Sequence, residues 1–234
     1  MSKIYSMSDI HGFLKEFEEA LDLVLIHLNE ENSKLVLLGD YVHGGTRGSK
    51  VLDKIMSLQQ KYGREKVIAI LGNHDEWVME GTSTIDSMDN NYQVKTSESD
   101  ELQIRWLKTL PRYYEEGNTI FVHAGIDEES ADLWEWGTSD EIFTMKYPAE
   151  KGKIPNLEMK VVAGHVSTAE ISGDQDFHDI YFDGESHYYI DGSVYYSGEI
   201  PVLMVDTDKD LYYRVNKNGK SRILPYKDEY KFER

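Results

Sequence analysis

Short apolar runs alternate with a helical pattern at the start of the chain, and this alternation constrains the fold more than any other feature. The runs "KIYSM" (3–7), "KLVLLGD" (34–40) and "KVIAILGNHD" (66–75) predict three buried strands. Apolar residues between Leu14 and Leu28 follow the three-four spacing of an amphipathic helix. Strand, helix, strand order is typical of a parallel sheet with both faces covered.

The rest of the chain predicts further α/β structure. Segments 118–127 and 159–168 predict two more strands, and 100–110 predicts a helix. The polar segment 80–100 is expected to be a surface excursion, either a lid or specificity loop or a loop without a role. Because no repeat or linker divides the sequence, we expect residues 1–234 to form one domain.

The last quarter of the chain changes character from about residue 178. Turn signals there indicate antiparallel hairpins, and tyrosines such as Tyr195 and Tyr196 are expected to pack across strands. The signals are the dipeptides Asp183–Gly184, Asp191–Gly192 and Asn218–Gly219.

Composition excludes several classes of function. The chain has 234 residues, no cysteine and a formal net charge of −18. This charge argues against bulk nucleic acid and anionic membranes, whose binding usually relies on Lys and Arg. No run reaches the roughly 18 apolar residues of a membrane helix, and no signal peptide is evident, so we expect a cytoplasmic protein. Without thiolates, any metal must be held by His, Asp, Glu, Asn or water.

Metal-competent side chains directly follow five predicted strands. Since the carboxyl ends of strands in an open α/β sheet meet at one crevice, these side chains are expected to come together. One Asp or His alone is more often a helix cap or turn residue, but caps would not need four histidines and an asparagine. The set is Asp9, His11, Asp40, Asn73, His74, Asp75, His123 and His165.

Imidazole and carboxylate ligands without thiolate suit divalent transition metals. Mn, Fe, Zn, Co and Ni all fit such ligands. The set exceeds what one ion in an open catalytic site uses, so two ions are predicted, about 3.5 to 4 Å apart and bridged by a carboxylate. Such a pair can generate hydroxide near neutral pH and stabilise both oxygens of an in-line displacement.

The motifs "SDIHG", "GDYVHGG", "GNHD", "HAG" and "GH" resemble those of the calcineurin-like metallophosphoesterases in order and approximate spacing. The resemblance covers about residues 4–168 and points to the branch of Ser/Thr phosphoprotein phosphatases and bacterial symmetrical dinucleoside tetraphosphatases. Segment 188–206 is similar to a late hairpin of that branch. The resemblance implies a four-layer α-β-β-α sandwich with mixed sheets and an antiparallel C-terminal portion.

The resemblance also implies roles for the matching residues. Asp40 would bridge the two metals, and a metal-bridging hydroxide would attack phosphorus in line. His74 would protonate the leaving oxygen, and Asn73 would also contact substrate. Asp191 matches a late position around the site and is not expected to be a ligand. The remaining metal ligands would be Asp9 and His11 for the first ion, and Asn73, His123 and His165 for the second.

The loop after the second strand departs from the family pattern, which usually reads "GDxVDRG". His43 replaces the aspartate that pairs with the acid histidine, and Gly44 replaces a phosphate-holding arginine. In the leading explanation, Arg47 reaches the phosphate from a longer loop. Alternatively, the substrate is a diester or anhydride with less charge at the reacting phosphorus, or the domain binds metal or nucleotide without turnover. The presence of His74 argues against the last.

We therefore expect a binuclear metallophosphoesterase that acts on phosphomonoesters in the manner of Ser/Thr phosphatases. The alternative is a dinucleoside polyphosphate hydrolase or a phosphodiesterase. Its substrate is expected to be a phosphorylated small molecule, a nucleotide or a phosphoprotein, with Arg47 and His43 beside the phosphate.

Overall fold

A computed structural model describes residues 2–86 and 98–226, which form two β-sheets with short helices around them. The strands within these residues are β1 (Lys3–Met7), β2 (Ser33–Leu37), β3 (Val67–Ala69), β4 (Tyr113–Glu116), β5 (Thr119–Val122), β6 (Lys160–Ala163), β7 (Tyr181–Phe182), β8 (His187–Tyr189), β9 (Val202–Asp206), β10 (Leu211–Asn216) and β11 (Gly219–Arg222).

Helices alternate with the strands through most of the described chain. They are α1 (Leu14–Leu25), α2 (Gly48–Tyr62), α3 (Asn73–Met79), α4 (Glu98–Leu107), α5 (Trp134–Gly137), α6 (Asp140–Met145), α7 (Thr168–Ser172) and α8 (Val194–Ser197), with a 3₁₀ helix at Glu128–Leu133.

Both sheets are mixed, as the sequence predicts. The first has the strand order β11-β10-β9-β1-β2-β3, in which β1, β2 and β3 are parallel and β9, β10 and β11 form an antiparallel extension. The second has the order β4-β5-β6-β8-β7, in which β5, β6 and β8 are parallel. The two parallel cores supply the strand ends on which the site is built.

Three apolar layers hold these sheets and helices together. Side chains of α1, α2 and α4, such as Phe17, cover the outer face of the first sheet. A second layer, which contains Val36 and Phe121, fills the space between the sheets. The third lies under α5, α6 and α7 on the outer face of the second sheet and contains Phe143. The order helix, sheet, sheet, helix confirms the predicted four-layer α/β sandwich.

Several predicted strands are longer than the observed ones. Strand β2 ends at Leu37, whereas its predicted run continues to residue 40. Strand β3 ends at Ala69, whereas its predicted run continues to residue 75. The predicted helix over 100–110 begins earlier, at Glu98. Because the residues after each strand turn sharply toward the crevice, an apolar run alone overestimates the strand.

The hairpin prediction is confirmed at two of its three turns. Asp183 and Gly184 lie between β7 and β8, and Gly219 opens β11 after β10. Asp191–Gly192 instead leads from β8 into α8, so the prediction of a third hairpin is wrong. Tyr195 and Tyr196 therefore lie on a short helix and are exposed rather than packed across strands.

The prediction of a surface excursion over residues 80–100 falls mostly on residues 87–97, which lie outside the described residues. Its last three residues begin α4. Within the described residues, no helix has the length and apolarity needed to cross a membrane.

Tyr41 connects the first sheet to the loop that follows β2. Its side chain is fully buried, and its hydroxyl lies 2.9 Å from the carbonyl oxygen of Leu37 and 2.7 Å from that of Ile70. The Leu37 carbonyl also accepts a hydrogen bond from the Ile70 N–H. The Ile70 carbonyl accepts its hydrogen bond from the Tyr41 hydroxyl.

Replacing Tyr41 with Phe should lower the free energy of unfolding by about 1–2 kcal/mol, since a buried carbonyl then loses its donor. Urea denaturation in EDTA measures this without any contribution from bound metal. Tyr196→Phe removes a hydroxyl from a side chain that is 80% exposed and should change stability by less than about 0.5 kcal/mol. Equal effects of the two changes would contradict the assignment.

Candidate metal centre

Six ends of parallel strands, three from each sheet, deliver polar side chains to one cluster. Met7 of β1 pairs with Leu37 of β2, so the loops that follow these strands run side by side. The Asp9 N–H donates to the Gly39 carbonyl at 3.2 Å, which begins this alignment. The side chains follow the strands in this order: Asp9 and His11 after β1, Asp40 after β2, Asn73 and His74 after β3, His123 after β5, His165 after β6 and Asp191 after β8.

One carboxylate oxygen, Oδ2 of Asp40, faces three imidazoles. It lies 3.6 Å from His11 Nε2, 3.9 Å from His74 Nε2 and 3.5 Å from His123 Nε2. These separations are long for hydrogen bonds. They match the spacing of about 3 to 4 Å between atoms that each lie roughly 2.0–2.2 Å from a shared transition-metal ion.

Two groups of potential ligand atoms share Asp40. His11 and His74 complete one, and His123 and His165 complete the other, with all atoms of a group within 4.8 Å of one another. Asp9 Oδ1 lies 3.8 Å from His11 Nε2, which brings a second carboxylate to the first group. The arrangement therefore fits two ions with Asp40 between them, and it places His74 as near to Asp40 as the predicted ligands.

Each aspartate uses one oxygen to fix its orientation. Oδ1 of Asp40 accepts the His74 N–H at 2.9 Å, and Oδ2 of Asp9 accepts the His165 N–H at 3.0 Å. The opposite oxygens remain directed at the imidazoles. Gly72 and Gly164 make this approach possible, because a Cβ on either would lie 2.2 and 2.1 Å from those anchored oxygens, respectively.

Backbone carbonyls orient two of the histidines. His123 donates from Nδ1 to the Leu38 carbonyl at 2.8 Å, and His11 donates from Nδ1 to the His43 carbonyl at 2.7 Å. In both rings Nε2 is thereby the nitrogen directed at the cluster, where it can bind a metal ion once it has lost its proton. Asn73 Oδ1 lies 3.0 Å from His123 Nε2, as expected for a further ligand beside it.

The electrostatics of the cluster call for a cation. Burial alone would raise the pKa of Asp40, but His123 and His11 outweigh it and hold this pKa well below its usual range. Burial alone would lower the pKa of His123, but Asp40 and Asp9 raise it to about 10. Among the described residues, no Lys or Arg pairs with either aspartate. The donors and their charges therefore fit divalent metal ions.

Left-handed backbone conformations concentrate at this cluster. Five of the nine non-glycine residues with positive φ in the described chain are Asp9, His11, Asp40, His43 and His165. Such conformations cost on the order of 1 kcal/mol or more each and persist where surrounding contacts enforce them. Here the crossed hydrogen bonds between loops, such as the His11 N–H to the Asp40 carbonyl at 2.8 Å, supply that constraint.

His43 pairs with His74, as the aspartate of the family pattern does. The two Nδ1 atoms lie 2.8 Å apart, and the rings stack with centroids separated by 4.8 Å. One imidazole must donate while the other accepts. Burial lowers the pKa of both rings, and like charge on His11 lowers it further, while Asp40 offsets only part of this. For His74, the neighbouring His43 and His123 add to the effect, and the pKa falls to about 4.

Asp75 supports the cluster, although sequence reasoning assigned it no separate role. Its Oδ2 accepts the N–H groups of Asp40 (2.8 Å) and Gly72 (3.1 Å), and its Oδ1 accepts that of Tyr41 (3.1 Å). Burial and the nearby Asp40 carboxylate raise the pKa of Asp75 to about 7. This fully buried side chain holds the loop after β2 against the start of α3. Its only sequence signal is its place in "GNHD".

Asp191 reaches the edge of the cluster, near the position that the sequence predicts. It is buried, its Oδ1 accepts the Ser193 N–H at 2.7 Å, and burial together with Asp9 raises its pKa to about 7. Arg47 precedes α2 and has an exposed side chain. It makes no ion pair or side-chain hydrogen bond with any residue that the structure describes.

Residues 2–205 match the family model of the calcineurin-like phosphoesterases, and the chain belongs to this family. Within it, the chain is 31% identical over 126 residues to the symmetrical bis(5'-nucleosyl)-tetraphosphatase of Nitrosospira multiformis, covering 53% of this chain and 43% of the relative. The corresponding protein of Aromatoleum aromaticum is 34% identical over 128 residues, covering 53% and 44%. The chain thus spans less than half the length of these relatives.

Solved structures share the fold at low sequence identity. The cold-active protein-tyrosine phosphatase of a psychrophilic Shewanella species has a TM-score of 0.64 and 14% identity. The alignment covers 96% of this chain and 81% of that one. It supports the two-sheet sandwich on which the metal centre is built.

Changing Asp75 to Asn should weaken metal binding about 10- to 100-fold, because the amide turns a donor toward backbone N–H groups that position Asp40. Isothermal titration of Mn²⁺ into the metal-free protein measures the change. Unfolding should become easier by about 1–3 kcal/mol.

Asp22→Asn is the control for this change, since it removes the same charge from an exposed position of α1. Unchanged Mn²⁺ affinity in Asp75→Asn would show that Asp75 does not position the centre.

Proposed function

We propose that this protein hydrolyses phosphoanhydrides, with dinucleoside polyphosphates as the substrate class. The observation that carries the proposal is the Asp40 carboxylate facing imidazoles from three different strand ends at 3.5–3.9 Å. The names of the two curated relatives reported above favour the anhydride over the phosphomonoester among the reactions open to such a centre.

Asp9, His11 and Asp40 would hold one ion, and Asp40, Asn73, His123 and His165 the other. When bound, divalent ions supply activation of water and polarisation of phosphoryl oxygens. We propose Mn²⁺ as the first ion to test, with Fe, Zn, Co and Ni as alternatives for the same ligands.

The residues around the cluster would orient the substrate and supply a proton to the leaving oxygen. Asn73 directs Oδ1 toward His123, which leaves its amide N–H groups able to donate to a phosphoryl oxygen. His74 Nε2 faces the same space as Asp40 Oδ2, so a proton held there can pass to the oxygen that leaves phosphorus. In the net reaction, water adds to one phosphorus, the bridging P–O bond breaks and the departing phosphate takes a proton.

The His43–His74 pair supports an anhydride leaving group. A carboxylate partner would favour the imidazolium form of His74, which can then protonate a strongly basic alkoxide. His43 offers one hydrogen bond and no negative charge. A phosphate is a far weaker base than an alkoxide, so its departure depends less on a general acid.

A phosphomonoesterase of the Ser/Thr phosphatase type is the second candidate. It uses the same metal centre and was the leading expectation from the motifs. It would depend more strongly on protonation of the leaving oxygen and on a clamp for a dianionic phosphate, and His43 and Gly44 alter both of these features.

A substrate panel tests the proposal directly. Diadenosine tetraphosphate, a phosphoserine peptide, p-nitrophenyl phosphate and its bis ester are compared with Mn²⁺ present, and nucleotide products are resolved by chromatography. We expect the highest kcat/KM for diadenosine tetraphosphate, with ADP as the nucleotide product. Asp40→Asn should lose about a hundredfold or more of this activity and bind less metal. A tenfold preference for the phosphopeptide would overturn the substrate class, and full activity of Asp40→Asn would overturn the site.

Arg47→Ala should raise KM for diadenosine tetraphosphate about tenfold, because a charge-assisted contact to phosphate is lost. The matched control is Arg64→Ala. Arg64 is exposed just beyond the opposite end of α2 and hydrogen-bonds to Thr109. If steady-state kinetics gave the same constants for Arg47→Ala and the unmodified protein, Arg47 would have no part in substrate binding.

A further inference from the structure

A cavity of about 410 Å³ adjoins the loop that carries His43, within the range of small-molecule sites. Its walls come from the start of α1, the glycine loop before α2 and one side chain of α8. Among its lining residues, only Arg47 has a role in the function proposed above.

The glycine loop joins this cavity to the metal centre. Gly45 donates its N–H to the His11 carbonyl, and a Cβ on Gly44 would lie 3.0 Å from the Cβ of His11. Gly44 also follows His43, whose ring pairs with His74. A ligand with one end at the metal centre can therefore extend along this loop into the cavity.

The cavity presents an aromatic face. Tyr195 is 62% exposed, although it is a large ring on a short helix, four residues after the buried Asp191. Phe13 contacts it edge to face with ring centroids 6.2 Å apart, which fixes the ring while leaving a surface open. Stacking of a planar base on such a ring is favourable for every base, since each has a π-face.

The charged side chains of the cavity are suited to bind the phosphates and the ribose of a nucleotide. Arg47 and Lys15 are exposed cations at its rim, in a protein whose net charge is −18. Glu16 is partly exposed and lines the same cavity. A carboxylate there would repel phosphate but can accept hydrogen bonds from ribose hydroxyls.

We propose that this cavity is the nucleoside subsite of the enzyme. This inference rests on the proposed function. One base of the dinucleoside polyphosphate stacks on Tyr195, and the ribose attached to that base donates hydrogen bonds from its hydroxyls to Glu16. Its phosphate chain passes Arg47 toward the metal centre.

Binding of adenosine to the metal-free protein tests the subsite without turnover. Saturation-transfer NMR in EDTA gives the dissociation constant. We expect Tyr195→Ala to raise it about tenfold and Tyr195→Phe, which keeps the ring, to restore it. Tyr147→Ala is the control, because Tyr147 is 68% exposed and does not line the cavity. Absence of binding, or equal binding by Tyr195→Ala, would overturn the subsite.

The metal-loaded enzyme supplies the second readout. Tyr195→Ala should reduce the preference for diadenosine tetraphosphate over inorganic tripolyphosphate about tenfold, mainly through KM. If adenosine binding depends on Tyr195 but the dinucleotide is not hydrolysed, the proposed function fails while the subsite stands. If the dinucleotide is hydrolysed with the same preference in Tyr195→Ala, the subsite fails while the proposed function stands.

Discussion

The Asp40 carboxylate is the contact on which the rest of the site depends. One oxygen is fixed by the His74 N–H, and the other faces the Nε2 atoms of His11, His74 and His123. This single side chain, at the end of a strand in the first sheet, meets a ligand from the second sheet, so the sandwich must close for the centre to exist. The buried Asp40 carboxylate needs a compensating positive charge, which the imidazoles around it supply and which a bound divalent ion would also supply.

The partner of His74 is an imidazole in this chain, where the family pattern has a carboxylate. His43 keeps the position of the family aspartate and contacts His74 through Nδ1 at 2.8 Å. The ring is therefore still oriented, while the charge that favours its imidazolium form is gone. With Gly44 in place of an arginine, the cationic recognition proposed above falls to Arg47 and the cavity beside it. The chain therefore keeps the metal-site motifs that resemble those of the family and departs from the pattern at His43 and Gly44.

The sequence was sufficient for the parts of the fold that follow from local pattern. Apolar runs located β1, β2 and β3, and residues after the runs identified the cluster around Asp40. Strand ends were overestimated, because the left-handed turns at Asp40 and His165 depend on hydrogen bonds from neighbouring loops that no local pattern reveals. Asp191–Gly192 resembles a hairpin turn in sequence, yet β8 pairs with β6 in parallel and the chain continues into α8.

The sequence by itself determined which atoms can bind metal and in what chemical class, because residue type fixes the donors and the absence of cysteine removes thiolates. Only the tertiary structure decided which oxygen of each aspartate faces the site, that His43 touches His74, that Asp75 holds three backbone N–H groups, and that Tyr195 is open beside the glycine loop. The physical reason is that these features are contacts between segments far apart in the chain. Their geometry is set by the packing of two sheets rather than by the local sequence.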